Sequence, residues 1–504
     1  MALNTRPHSF TDLPDSNTFY PAKLVLLLIF SYILLTPSFD LMPDVGMYNE
    51  KRILECLIFL IAAMTLLFDK HLRYKWIDVF TALPLAIRYM LFSILVIGLI
   101  SATNAQQITA ALLDVALYSL IFIMIIMLAA IHSLVGLKWF ASLFMITLLA
   151  SISLYLTTFV SGQIAASLEP VPLLQQSLFA NFAHLRFFSQ FQSWTLPLVI
   201  LPLLLVPRLS RSLKILTLII AAGWWYLLFT SGTRGTILGL IIAFAAVAIV
   251  FGRHALPWLK WQGIAVAAGL LMYLTFFFIL PTISNNDASS VVENTVDRKL
   301  MHSTGRFRLW EKAGQMIADK PLLGVGPMHY GCDLDNKTAA HPHNSILQIA
   351  AEWGLPVAFL LLALILFGLF RWILCGRNLL LKPPTQLVTG LDEAQLYPAL
   401  LASSITAAIH SLFSGIIIMP LSQMIMIIII GWMIAVYHRN GEKHLIKKHS
   451  HFALIALLLI SSGTLVYTTT PDIFNLFEMQ QTFLSEHPTS RVLPRFWQQG
   501  RICG

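Results

Sequence analysis

Residues 224–242 read WWYLLFTSGTRGTILGLII: an aromatic and aliphatic run, six small or polar residues from Thr230 to Gly235, then a second aliphatic run. A bilayer core of about 30 Å takes close to 20 helical residues. Two such stretches joined by so short a turn describe a chain that crosses a membrane and at once crosses back. Outward from this hairpin the pattern repeats, with about thirteen apolar runs near 22–38, 52–68, 85–101, 107–130, 133–160, 194–207, 215–231, 236–252, 261–280, 354–371, 395–415, 421–437 and 452–468. Of the 504 residues 57% are hydrophobic and 11% charged, against roughly 45–50% and about 25% in a soluble domain. A water-soluble globule is excluded. Isolated strands would leave backbone groups unsatisfied in lipid, so the expectation is an all-α polytopic integral membrane protein of about 12–13 transmembrane helices. The polar N-terminal stretch is too long for a signal peptide, and no small-residue cleavage site follows the first run, which is expected to stay as an anchor.

The net charge of +9 would raise nucleic acid as a partner in a soluble chain. Here the basic residues sit in short loops, so no nucleic-acid partner is expected and they set orientation instead. With the N-terminus in the cytoplasm, 18 Lys and Arg fall in inner loops and span ends and 7 in outer ones, the long 281–353 segment left aside. The outer side then owns loops 161–193 and 281–353 and the tail from 469. Four regions follow: 1–280, N-terminal membrane helices with outer loop 161–193; 281–353, a catalytic loop; 354–468, C-terminal membrane helices; and 469–504, an outer tail. Cys56, Cys332, Cys375 and Cys503 make no CxxC pair and no zinc spacing. No GxxxxGK[ST] or GxGxxG phosphate loop is present.

Within the long loop, RFRLWEKAGQMIADK sets Phe307, Trp310, Ala313, Gly314 and Ile317 at helical spacing, which predicts an amphipathic helix at the membrane surface with Arg306 and Arg308 at its start. The turn-rich PLLGVGPMHYG follows, and then His341, His343 and Asn344 just before the apolar SILQIAAEWG. A histidine at the mouth of the bilayer can accept a proton at neutral pH; the same residues could equally serve to cap the helix that follows. Arg234, on the outer side against the positive-inside tendency, fits an anionic partner such as phosphate oxygens, or else snorkels to lipid headgroups. Arg186, Gln190 and Gln192 alternate with aromatics in NFAHLRFFSQFQSW and suit a sugar surface, although an interfacial aromatic belt reads the same. Glu55, Arg88, Asp114 and His410 are ionisable within spans, and His410, near an outer end, is the better site candidate. Asp333 and Asp335 form an isolated DxD, a weak metal signal; no metal site is expected.

Together His343-Asn344, nine residues and Gly354 opening a span, the upstream TSGTRG turn, and the element Gly305-Arg306-x-x-x-Trp310 resemble the O-antigen ligase and polymerase superfamily, which includes bacterial protein O-oligosaccharyltransferases. The resemblance covers roughly Asn181 to Pro420. It implies an inverting transfer of a preassembled glycan from undecaprenyl diphosphate to an acceptor at the periplasmic face of a bacterial inner membrane, with no cofactor, metal or nucleotide. It also implies that Arg234 and Arg306 hold the diphosphate, with Arg308 as a further basic residue, and that His343 activates the acceptor hydroxyl with Asn344 beside it. Arg186, Gln190, His341 and His410 are the remaining substrate-binding candidates. His410 lies in IHSLFSG, which resembles a His-Ser-Leu segment of the protein O-oligosaccharyltransferases, except that Ser414 stands where an acidic residue is common.

Stretch 181–194, the His-Ser-Leu segment and PRFWQQG resemble pilin-type protein transferases more than ligases to lipid A core, although the residues after Thr469 are fewer than the soluble domain some protein-transferring members carry. The expected partners are the lipid-linked glycan, a pilin-like protein or lipid A core as acceptor, and membrane lipids. By the topology above, Cys332 and Cys503 share the oxidising side, and a disulfide between them is expected. A repeat-unit polymerase shares the donor and stays open. A transporter or flippase would show charges paired at midplane and two similar halves, and neither is visible.

Overall fold

The computed structural model describes residues 20–168, 182, 184–279, 305–332, 339–380, 392–439, 449–486 and 493–500, and among them every regular element is helical. In chain order the helices are α1 Tyr20–Leu35, α2 Met47–Phe68, α3 Lys70–Ala82, α4 Leu85–Thr103, α5 Ile108–Val135, α6 Leu137–Leu168, α7 Leu185–Thr195, α8 Leu201–Leu205, α9 Arg211–Ser231, α10 Arg234–Phe251 and α11 Leu256–Leu274. There follow α12 Arg306–Asp319, α13 Ser345–Trp353, α14 Leu355–Leu380, α15 Leu396–Ser411, α16 Pro420–Arg439 and α17 His449–Glu486.

Within the described residues each of the thirteen apolar runs coincides with helix, the one at 194–207 in broken form. Among the described residues nine helical stretches are long and apolar enough to cross a membrane. One of them, Arg234–Leu274, is 41 residues long and breaks at Gly252, with φ of +52°. Helices α1 and α15 are short at 16 residues each, and α2 carries Glu50, Lys51, Arg52 and Glu55 at one end. The chain is an all-α polytopic membrane protein.

Three details depart from the sequence reading. The run at 194–207 belongs to a broken stretch that starts at Leu185, because Pro197 and Pro202 have no N–H for a continuous helical ladder. The charged α3 was not foreseen: Asp69 caps it through Leu72 N at 3.0 Å, and Trp76 Nε1 donates to Ile123 O at 3.0 Å, fixing it to α5. The last run extends to Glu486, so the first part of the expected outer tail is helix.

Burial sorts the helices. Leu185–Leu205 and Ile108–Val135 are enclosed, 94% and 78% buried, whereas Leu85–Thr103 and Leu355–Leu380 are 17% and 11% buried and face lipid. Lipid gives helices no hydrophobic reason to associate, so close contact has to come from small residues. Along α10 and α15 a Cβ on Gly239 would lie 2.6 Å from Thr406 O, and between α5 and α16 one on Gly431 would lie 2.9 Å from Ile125 O.

Polar contacts gather at the two ends of this bundle. One end holds Lys75–Asp78, Arg439–Glu393 and Arg371–Tyr437. The other, the end the charge distribution assigns to the outside, holds α12, α13 and everything described next.

Candidate functional site

Two helix starts and two loops build the site. Helix α7 begins where His184 Nδ1 accepts from Arg186 N at 3.0 Å, and it then presents Arg186, Gln190 and Ser193 along one side. Helix α9 ends at Gly232 in the left-handed conformation, and two residues later Arg234 opens α10. Helix α12 starts at Arg306. The fourth part is the loop His341-Pro342-His343, which leads into α13 through Asn344, whose Oδ1 accepts from Leu347 N at 3.0 Å.

Specific contacts hold the histidine loop. Trp310 Nε1 donates to Pro342 O at 3.1 Å and so ties α12 to it. His341 is buried, and its Nδ1 accepts from His343 N at 3.2 Å, with the two rings edge-to-face at 4.1 Å between centroids. Gly415 leaves the room: a Cβ there would lie 2.4 Å from His341 Cε1. His343 itself sits at φ of +54°, a conformation uncommon outside glycine.

Arg186 Nη1 lies 3.4 Å from His343 Nε2. Arginine only donates, so the lone pair of Nε2 faces the guanidinium. His343 Nδ1 is buried with no hydrogen-bond partner. Burial holds the imidazole down at about 3, with Arg186, Arg306 and His184 adding to the shift. Burial also depresses Arg306, and the charge of Arg234 adds to it; the Arg306 Nε is buried and unpartnered. The structure therefore brings Arg186, Arg234 and Arg306 into electrostatic range of one another or of one neutral histidine.

The other expected residues divide. Arg308 is exposed, and of the expected stripe on α12 Ala313 is buried and Trp310 and Ile317 half-buried, while Leu309 and Met316 are buried in place of Gly314 and of Phe307, which is 66% exposed. Tyr330 explains the offset, since it packs into that face and donates to Leu309 O at 2.9 Å. Gln190 is buried, donates to Ser414 Oγ at 2.6 Å and keeps Oε1 unpartnered. His410 is buried between α7 and α10, its Nδ1 2.7 Å from Ser193 Oγ and 3.4 Å from Thr236 Oγ1. Its ring lies against Gly235, where a Cβ would come within 2.6 Å of His410 Cδ2. Cys332 is disulfide-bonded and Cys56 and Cys375 are free, while Cys503, Asp333 and Asp335 lie outside the described residues. Among the described residues no three His, Cys, Asp or Glu side chains come together as metal ligands would.

Three groups were missed. His184 was not singled out, although a histidine two residues before Arg186 was a signal. Glu352 closes α13 and Arg495 meets it; Asp114, an acid inside a span, was the visible hint that a buried cation had to come from elsewhere. Arg495 Nη2 reaches Glu352 Oε2 at 2.5 Å and Asp114 Oδ2 at 3.3 Å.

No curated protein matches the chain. The O-antigen ligase family model matches residues 216–362, from α9 into α14 and across Arg234, Arg306 and His343. Over that part of its length, less than a third of the 504 residues, the chain is similar to the O-antigen ligase family.

Proposed function

We propose that the protein moves a preassembled glycan from undecaprenyl diphosphate to a hydroxyl of a pilin-like protein at the periplasmic face of the inner membrane, with inversion and without a metal. The observation that carries this reading is the neutral His343 beside the guanidinium groups of Arg186 and Arg306, with Arg234 in electrostatic range of Arg306. In the reaction the acceptor oxygen forms a bond to the anomeric carbon, the bond from that carbon to the diphosphate oxygen breaks, and the hydroxyl proton passes to His343. Arginines placed beforehand stabilise the charge that develops on the leaving diphosphate.

The same arginines oppose a charged imidazole. A proton on Nε2 would sit 3.4 Å from Arg186, and bound diphosphate offsets that repulsion. His343 therefore gains basicity when the donor is loaded, which favours donor before acceptor. Helix α12, with Phe307 exposed next to Arg306, gives a polyprenyl chain an apolar approach from the bilayer.

The acceptor rests on the likeness of 181–194, the His-Ser-Leu segment and PRFWQQG to pilin-type transferases. A second reading, ligation to lipid A core, is favoured by the description of the matched family. Reconstituted protein given undecaprenyl-diphosphate glycan with pilin or with lipid A core, read by mass shift, separates the two. Glycan on pilin supports the proposal, and glycan on lipid A core alone replaces it with the second reading. Transfer to neither would remove the donor chemistry as well.

A further inference from the structure

Residues 493–500, LPRFWQQG, are all buried, although they follow the last membrane helix. The segment folds back on itself, with Leu493 N donating to Gln498 O and Arg495 N to Trp497 O, both at 3.0 Å. Every side of it is tied down. Tyr48 donates to Arg495 O at 2.7 Å, Arg52 Nε to Phe496 O at 3.2 Å, and Gln498 N to Asn49 Oδ1 at 2.7 Å. Trp497 Nε1 donates to Asp472 Oδ2 at 2.7 Å, anchoring the segment to α17.

At its centre Arg495 is 2% exposed, and the carboxylate it meets belongs to the helix that begins beside His343. Helix α13 has only nine residues. Its first end is capped by Asn344, next to His343; its last turn carries Glu352. The Glu352 carboxylate takes Arg495 on Oε2 at 2.5 Å and Tyr330 N on Oε1 at 3.1 Å, and its carbonyl takes Gly326 N at 3.0 Å. So short a helix turns as a rigid piece, and what fixes Glu352 fixes the angle at which His343 is presented.

We propose that segment 493–500 is part of the transfer site and that Arg495 is a positioning residue, holding α13 through Glu352 so that His343 faces the arginines. It acts through that helix and touches no substrate. Asp114 gives the guanidinium its second anchor, in the wall of α5.

The inference rests on the proposed transfer, so its test needs one readout that does not. Full-length protein in nanodiscs is compared as wild type, Arg495→Lys and Arg495→Met, each counted per folded molecule. Expected for Arg495→Met are a fall of at least tenfold in the single-turnover transfer rate, donor binding within threefold of wild type, and amide hydrogen exchange across 343–353 faster by at least tenfold. Arg495→Lys, which keeps the charge, is expected to recover part of the rate. If Arg495→Met does not fold, the lysine variant carries the same comparison at smaller amplitude. Normal exchange across 343–353 in the variants would overturn the proposal. So would a transfer rate that falls only with the amount of folded protein. Wild-type protein that transfers nothing would remove the transfer reading, while the exchange comparison would still decide whether Arg495 holds the helix.

Discussion

At the scale of single residues, the proposed role of His343 carries a contradiction that a bound diphosphate would resolve. A base is useful near its own pKa, and this imidazole is held at about 3 by burial and by its arginine neighbours. An unfolded histidine titrates near 6.5. The folded group stays neutral as the pH falls from 8 to 5, so kcat/KM, which reports the free enzyme, should show no inflection near 6.5 from this residue. With donor bound, kcat should inflect at a higher pH than kcat/KM does. Coincident profiles would count against the coupling of base and diphosphate. Stability contributed by this histidine runs the same way: it is full above about 6.5 and is lost as pH falls toward 3, where the folded state finally takes up the proton. His343→Ala should lower transfer by about 100-fold or more while folded protein is recovered as before; near-normal transfer in that variant would remove the mechanism.

Elements show why some of the candidate site could be read in advance and some could not. Arg234, Arg306 and His343 stood out because each is a polar residue where the surrounding pattern is apolar or interfacial, a local signal. The helical period of α12 was legible too, yet its buried stripe was only partly placed, because Tyr330 and Ala351 decide which residues are covered and neither belongs to the helix. Asn344 and Gly415 follow the same logic: one caps α13, the other only leaves space for His341. Gly415→Ala should push His341 aside and cut transfer at least tenfold. Gly314→Ala on α12, where a Cβ meets nothing within 4 Å, should leave transfer unchanged and stabilise that helix by about 0.5–1 kcal/mol, measured by thermal unfolding in detergent. Equal effects of the two changes would mean that the crowding around His341 is not what aims it.

Across the whole molecule the long apolar helices were nearly all in the hydropathy, because lipid forces each crossing to show itself locally. The buried charge networks were not, because their partners are far apart in the chain. Arg52 joins Glu55, one turn away, to Gln423 Oε1 at 2.7 Å and Ile418 O at 2.5 Å. Removing one partner of such a pair strands the other, at a cost of about 3–5 kcal/mol, while replacing both with apolar groups is often nearly neutral. Arg52→Met should therefore yield little folded protein, and the double variant Arg52→Met/Glu55→Leu should recover much of it, as judged by monodisperse yield. A single variant as stable as the wild type would show that the network contributes little.

The distance between Asp114 and Arg495 also sets a clock. They are 381 residues apart, and a ribosome adding about 5–20 residues per second needs on the order of 20–80 s between them. Through that interval a finished α5 waits in the membrane with its acid lacking the guanidinium that will meet it. A nascent chain that stalls within it keeps every apolar span it has made and still lacks the closing contact. The contact between Arg495 and Asp114 therefore forms only after the membrane helices are made, and released chains ending just before and just after residue 495 should differ sharply in protease survival.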